Sequence, residues 1–459
     1  MTTTLLPHFI DGRRADAAPS NDVRTNLNPA TGEPVSRASL DGVEAVDAAV
    51  RSAKAAFPSW SATPVGDRVQ VLFRYKQILE ARVDELADII VAEHGKTRNE
   101  AIGSVRRGID CIEHACAAPV LMMGRTLPQI AVSSSFCRTE DEGGVGIDSS
   151  VDRVPVGVCV GITPFNFPVM VPMWMWPMAI ACGNTFVLKP SEKDPMAALR
   201  ATECAMEAGL PAGVLNLVHG GPPVVNRLLE HPDVRAVSFV GSTTAGAHVY
   251  RTAAAHGKRV QCMCGAKNYS IIMPDANREA AIDGVLGSAF GNTGQRCLAG
   301  SAVVCVGDSA AWFVPGLLER AGGIDVGDGA ASSTGMGPLQ DHDARDRVVR
   351  YIQVGLDDGA TLLLDGREAH VPSAGCFVGP TVFDHVRPEM RIASEEIFGP
   401  VLSILREPDL DHAIATTNLS RYGNMAVIFT DSGHAARRFE RGVEAGMIGV
   451  NVGVPAPMA

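Results

Sequence analysis

The 459-residue sequence predicts an α/β fold of two domains. Three observations carry that prediction. Short apolar runs alternate with amphipathic segments from Val156 onward, the pattern of parallel strands joined by crossover helices. A second stretch of the same alternation begins at Ala280. Apolar residues make up 46% of the chain against 20% charged, which fills sizeable cores and excludes wholesale disorder.

The elements follow in order. Val43, Val46, Val50 and Phe57 lie on one face of a helix predicted over Asp41–Phe57, with Pro58 as its stop signal. Leu72, Tyr75, Leu79, Val83, Leu86 and Ile90 extend the pattern over Asp67–His94, where Gly95 suits a left-handed C-terminal position. The first hundred residues thus read mainly as helical packing material. Ile130–Asp152 is rich in Ser, Gly and acidic residues and reads as a linker, an exposed hairpin or an insertion. Strands are predicted at Val156–Ile162, Thr185–Lys189, Val214–Val218 and Ala236–Val240. The helices between and after them are Asp194–Ala208, capped by Asp194 with Pro195 at the first position and closed by Gly209, then Pro222–Glu230 and Thr243–His256. A doubly wound sheet of this kind binds ligands beyond the carboxyl ends of its strands. In the second stretch, Ala280–Phe290, Asp341–Leu356, Asp411–Thr417 and Gly433–Val443 read as helices. Ser301–Val306, Val401–Leu405, Met425–Phe429 and Met447–Asn451 read as strands.

Composition narrows the function classes. The net charge is −11 and no stretch concentrates Lys and Arg, which argues against nucleic-acid or anionic-lipid partners. Val154–Leu188 contains no charged residue and exceeds the roughly 20 residues that span a bilayer. Pro155, Pro164, Pro168, Pro172 and Pro177 interrupt it, and lipid supplies no partner for the backbone groups they leave over. A buried strand, loop and helix in series is the better reading. The eleven cysteines are odd in number and scattered, and Met1–Asp16 has no basic region followed by an apolar run. Free thiols in a reducing cytoplasm are therefore expected. Cys262-x-Cys264 has no second pair or nearby His, so no metal site is expected there.

Two segments could carry chemistry. Gly241-Ser-Thr-Thr-Ala-Gly246 falls where a strand gives way to a helix, a place suited to phosphate. It matches neither dinucleotide nor nucleotide-triphosphate glycine motifs, and an ordinary strand-to-helix turn explains it as well. Cys297 ends Gly291-Asn-Thr-Gly-Gln-Arg-Cys297. A glycine-rich turn with Arg296 adjacent favours the thiolate, the nucleophilic form. The alternative is an inert buried cysteine, as most of the other ten should be.

Taken together, five segments resemble the aldehyde dehydrogenase superfamily: Thr163-Pro-Phe-Asn-Phe-Pro168, Leu188-Lys-Pro-Ser-Glu192, Phe239-Val-Gly-Ser-Thr243, Gly294-Gln-Arg-Cys297 and Glu395-Glu-Ile-Phe-Gly-Pro400. Their order and separations fit across nearly the whole chain. Pro164–Pro168, Trp174–Asn184 and Gly265-Ala-Lys-Asn268 look most like the CoA-acylating methylmalonate-semialdehyde dehydrogenase branch. The resemblance implies a Rossmann-type NAD-binding domain over 1–130 and 152–261, an oligomerisation or bridging hairpin over 131–151, and a catalytic domain over 262–447. It also implies that 448–459 is a shortened C-terminal segment, since relatives continue with a strand used in subunit assembly.

The resemblance further implies roles. Cys297 would attack the aldehyde, and Asn166 with the Cys297 backbone N–H would receive the oxyanion. Thr163, Phe165, Lys189, Glu192, Gly241, Ser242, Glu396 and Phe398 would hold NAD, with Lys189 and Glu192 at the adenosine ribose. Arg107 and Arg296 would hold a substrate carboxylate. Hydrolytic members carry a Glu where Met263 stands here. Methionine accepts no proton, so the acyl group would pass to the thiol of coenzyme A. The expected reaction is NAD- and CoA-dependent oxidative decarboxylation of methylmalonate or malonate semialdehyde, in a homo-oligomer, dimer or tetramer, weakened by the short end. Another aldehyde dehydrogenase chemistry, hydrolytic or acylating, is the alternative among enzymes. A catalytically impaired scaffold is the alternative outside them.

Overall fold

The computed structural model describes residues 5–17, 22–132 and 146–456. Two seven-stranded sheets organise them. The first runs Arg259–Met263, Val234–Val240, Val158–Ile162, Thr185–Lys189, Leu215–Leu217, His8–Ile10, Arg13–Ala15 in spatial order. Its first five strands are parallel and its last two form an antiparallel edge hairpin. The second runs Thr361–Leu364, Thr381–Asp384, Val401–Glu407, Ala302–Val306, Tyr269–Ile272, Met425–Phe429, Met447–Val450. It is parallel except for its first strand.

Strand parity explains how each sheet is covered on both faces. Val158, Val160 and Ile162 pack with Val46, Leu228 and Val249, whereas Cys159, Phe186 and Leu188 pack with Leu72, Ile112 and Trp176. In the second sheet Tyr269 and Ile271 meet Val348, Ile414 and Phe439, and Ile272, Val303 and Cys305 meet Phe290 and Phe313. The sheets are therefore the middle layers of two three-layer sandwiches, as the alternation predicts.

Several local expectations need correction. The first helix runs through Pro58, over Val43–Ala62. Pro58 lies on the exposed face, where water can serve the carbonyl it leaves, and the Trp60 indole N–H donates to the Ile180 carbonyl at 2.9 Å, pinning the last turn. The second predicted helix is two, Val65–Ala81 and Val83–His94, because Arg82 leaves helical geometry. Gly95 is left-handed at φ 87° as expected. The first forty residues hold two hairpins rather than helical material, the second pairing Val23–Leu27 with Pro34–Ser39. Asp194 does not cap its helix: Pro195 holds the cap position of Met196–Glu207, and the buried Asp194 carboxylate makes no hydrogen bond among the described residues. A hairpin of Arg125–Val132 and Gly146–Val151 brackets the Ser- and Gly-rich stretch, whose residues 133–145 lie outside the described ones. Val154–Leu188 forms a buried strand, a loop and the helix Met170–Ala181. No helix among the described residues is long and apolar enough to cross a membrane.

Candidate active site

The order of the first sheet reverses between Val158–Ile162 and Val234–Val240, so the crevice beyond their carboxyl ends is the place a ligand should occupy. Thr163-Pro-Phe-Asn166 leaves the first of these strands, Gly241-Ser242 leaves the second, and Lys189 ends the neighbouring one. Ser242 caps the helix Thr243–Ala255, its Oγ accepting from the Ala245 N–H. Gly241 and Gly246 admit no side chain: a Cβ would meet the Phe239 ring at 2.6 Å and Cys264 Sγ at 2.1 Å. Lys189 is buried and its Nζ lies 2.7 Å from Glu192 Oε2. Against the upward push of burial, the Lys189 ammonium holds the Glu192 carboxyl below its ordinary value. Thr163 Oγ1 is buried with no hydrogen bond among the described residues. A capped helix start, a clamped ion pair and an orphaned hydroxyl around one crevice fit a dinucleotide.

The opposite wall comes from the second half of the chain. Glu396 Oε1 accepts from the Ala266 N–H at 3.0 Å. A Cβ on Gly265 would sit 2.7 Å from both Glu396 Oε2 and Thr243 Oγ1, so the glycine lets this carboxylate reach the crevice. Burial pushes the Glu396 carboxyl up, against the pull of the Ala266 N–H, Arg347 and Lys267. Lys267 is fully buried, pushed down to about 7, and its Nζ has no hydrogen-bond partner among the described residues. Phe398 is held in the left-handed region at φ 58°, a strained state typical of functional segments. Its ring meets that of Phe165 edge-on at 5.8 Å.

Between these walls lies the turn that carries Cys297. Asn292, Thr293 and Gly294 are all left-handed, with φ 52°, 55° and 69°. Gly294 has no alternative, since a Cβ would lie 2.2 Å from the Gly399 carbonyl. Asn268 Nδ2 and Asn424 Nδ2 donate to the Cys297 carbonyl at 2.9 and 3.0 Å, and Asn268 Nδ2 also donates to Ala299. Such multiple fixing preorganises a nucleophile. The expected ionising surroundings are only partly present. Burial and the Glu396 carboxylate push the Cys297 thiol up, while the N–H groups of Cys297 and Leu298 and the Arg296 guanidinium pull it down. The net direction is up, so the thiol is the resting form: the adjacent cation seen in the sequence is outweighed by desolvation that the sequence does not display.

Asn166 faces this turn. Its Nδ2 donates to the Gln295 carbonyl at 2.9 Å, which uses one amide hydrogen and leaves the other for an oxyanion. Met263 ends its strand with an exposed side chain, and its carbonyl accepts from the Gly241 N–H. Arg296 is not isolated: its Nη2 lies 3.1 Å from Glu100 Oε1 and its Nη1 donates to the Gly287 carbonyl. Arg107 lies on the same helix as Glu100, Arg98–Cys116, seven residues on, hence two turns along one face. Its Nη1 is 3.6 Å from Asp110 and its Nη2 donates to the Ala456 carbonyl. Glu100, Lys96, Gln295, Asn268, Asn424, Lys267 and Arg347 were not singled out by sequence. Asn268 and Lys267 lie within a quoted motif, Gly265–Asn268, yet nothing in their spacing shows that one fixes the Cys297 carbonyl.

Comparison with known proteins finds similarity over nearly the whole chain. The aldehyde dehydrogenase family model matches residues 17–459. Malonate-semialdehyde dehydrogenase 1 of Geobacillus thermodenitrificans (strain NG80-2) is 52% identical over 464 residues, covering 100% of this chain and 93% of that protein. A crystal structure of methylmalonate-semialdehyde dehydrogenase from Oceanimonas doudoroffii superposes with a TM-score of 0.94 at 43% identity, over 100% of this chain and 91% of that one. A chain from Sinorhizobium meliloti 1021, solved in complex with NAD, gives a TM-score of 0.94 at 42% identity, over 99% of this chain and 91% of that one.

Proposed function

The chain belongs to the aldehyde dehydrogenase family, and from that premise we propose that it oxidises malonate or methylmalonate semialdehyde in an NAD- and CoA-dependent reaction. The products are acetyl-CoA or propionyl-CoA and CO2. The observation that carries the acylating reading is Met263, an exposed side chain at the carboxyl end of the strand Arg259–Met263, at the position where the resemblance puts the carboxylate of hydrolytic members.

The residues divide the work as follows. Thr163, Phe165, Gly241, Ser242, Lys189, Glu192, Glu396 and Phe398 line the crevice that would take NAD, which supplies a hydride acceptor when bound. Cys297 gives up its thiol proton to solvent and attacks the aldehyde carbon, and the oxyanion accepts hydrogen bonds from the second Asn166 amide N–H and the Cys297 N–H. Loss of hydride leaves a thioester on Cys297. Arg296 and Arg107 hold the carboxylate of the substrate near that thioester. The carbon–carbon bond to the carboxylate breaks, CO2 leaves, and the electrons pass into the thioester carbonyl before a proton returns to carbon. With Met263 unable to activate water, the thiol of coenzyme A displaces the acyl group and restores the Cys297 thiol. The apolar side chains of Leu127, Ile130, Ile147 and Val151 on the exposed hairpin support assembly as a homo-oligomer.

Mass spectrometry of the products tests this reading. Acetyl-CoA or propionyl-CoA with equimolar CO2 and NADH is expected. Free malonate or methylmalonate as the main product would replace it with the hydrolytic alternative.

A further inference from the structure

Lys96 stands outside every role assigned so far. Its side chain is 1% exposed, and its Nζ donates to the Asn166 backbone carbonyl at 2.6 Å while lying 4.4 Å from the centre of the Phe167 ring. Its own backbone is wedged against the second half of the chain. A Cβ on Gly329 would lie 2.2 Å from the Lys96 carbonyl, and one on Gly337 2.2 Å from the Gly95 carbonyl. Gly337 in turn accepts from Thr293 Oγ1 in the nucleophile turn at 2.9 Å. Asn166 is thus gripped at both ends, its carbonyl by Lys96 and its amide by Gln295.

We propose that Lys96 is a positioning residue for the attack of Cys297 on the aldehyde: it fixes the Asn166 backbone so that the side-chain amide meets the oxyanion beside Cys297. The inference rests on the reading of Asn166 as oxyanion donor given above. A buried lysine is an expensive anchor, since desolvation disfavours its charge. Burial pushes Lys96 down to about 7, with Glu100 and Asp194 pulling it up and Arg296 pushing it down. Such a group tolerates its site because its proton donates to a carbonyl that no other described group reaches. A shift of about 1 Å at a reacting centre can cost on the order of 10²-fold in rate, so a carbonyl held from one side matters.

The test is a single-turnover cycle in CoA-free buffer, reading NADH from malonate semialdehyde. Lys96→Met fills the same space without stranding a charge, so folding should survive. The expected result is full burst amplitude and unchanged NAD affinity, with a burst rate lowered by on the order of 10²-fold. On an Asn166→Ala background, Lys96→Met should add nothing, because the group it positions is gone. An unchanged rate in Lys96→Met overturns the proposal. So does an equal loss on both backgrounds, or a loss confined to amplitude, which would mark a purely structural residue. Should the wild type give no burst, the thioester reading fails, and the same cycle on steady-state kcat still decides Lys96.

Discussion

Replacing Arg296 by glutamine separates a substrate contact from a structural one. In the structure this guanidinium spends two hydrogen bonds on Glu100 and Gly287, leaving donors of the five for a ligand carboxylate. The side chain is 22% exposed. A charge-assisted bond is worth about 1.5–3 kcal/mol when well buried, so about 1–2 kcal/mol is appropriate after allowing for screening. By the rule of about 1.4 kcal/mol per tenfold, Arg296→Gln should lower kcat/KM for malonate semialdehyde about 5- to 30-fold more than for propanal. Some loss is expected for propanal too, since Arg296 also pulls the Cys297 thiol down. The fold should persist. Glu100 keeps its bonds to Thr97 and to the Asn292 N–H, so thermal unfolding should show a change within about 1 kcal/mol. Steady-state NADH formation with the two aldehydes, on the same preparation, reads the ratio directly. Equal losses for both would refute carboxylate recognition by Arg296 and leave it as the anchor of the turn.

Three further outcomes follow from the geometry. Arg107→Leu should raise KM for the semialdehyde acid more than for propanal, and less steeply than the Arg296 change because Arg107 is 39% exposed; no difference between the substrates would remove it from the site. NAD should be preferred to NADP, because the half-buried Glu192, paired with the buried Lys189, presents an ionised carboxylate where a 2′-phosphate would come; comparable kcat/KM with both cofactors contradicts that placement. Stability should fall as pH drops from 6.5 toward 5, read by the thermal midpoint. Burial holds His8 at about 4, His219 at about 3 and His94 also below the ordinary value. The unfolded chain therefore binds protons that the folded one refuses. Glu93, pushed up by burial to about 8, Asp194 and Glu396 work in the opposite direction over the same window, but His231 is also pushed down by burial, so four histidines stand against three carboxyls. His219→Gln should flatten the slope, and a flat wild-type profile would mean that these rings take up protons without unfolding.

Much of the fold was legible because burial leaves a mark on sequence. The strand Thr185–Lys189 and the helix Pro222–Glu230 fall where the apolar pattern predicts them, since both faces of a covered strand demand apolar residues. The edge hairpin His8–Ile10 with Arg13–Ala15 was not legible: each strand is only three residues long, too short for a period. Pro58 misled because its rule concerns an interior carbonyl, whereas here the carbonyl faces water. At the site, the glycine-rich turn brings Cys297 forward, and the resemblance to aldehyde dehydrogenases brings Asn166, Glu396 and Phe398 forward. The sequence could not display burial, which sets the Cys297 thiol up rather than down. Nor could it display pairs distant in sequence, such as Arg296 with Glu100 or Lys96 with Asn166.

The most direct test of the account is the time course of NADH formation from malonate semialdehyde with and without coenzyme A. With Met263 in place of a base, the thioester on Cys297 should accumulate. The CoA-free reaction should give a burst of about one NADH per active site followed by a slow phase, and adding coenzyme A should restore fast turnover. Fast steady turnover without coenzyme A would contradict the acylating assignment.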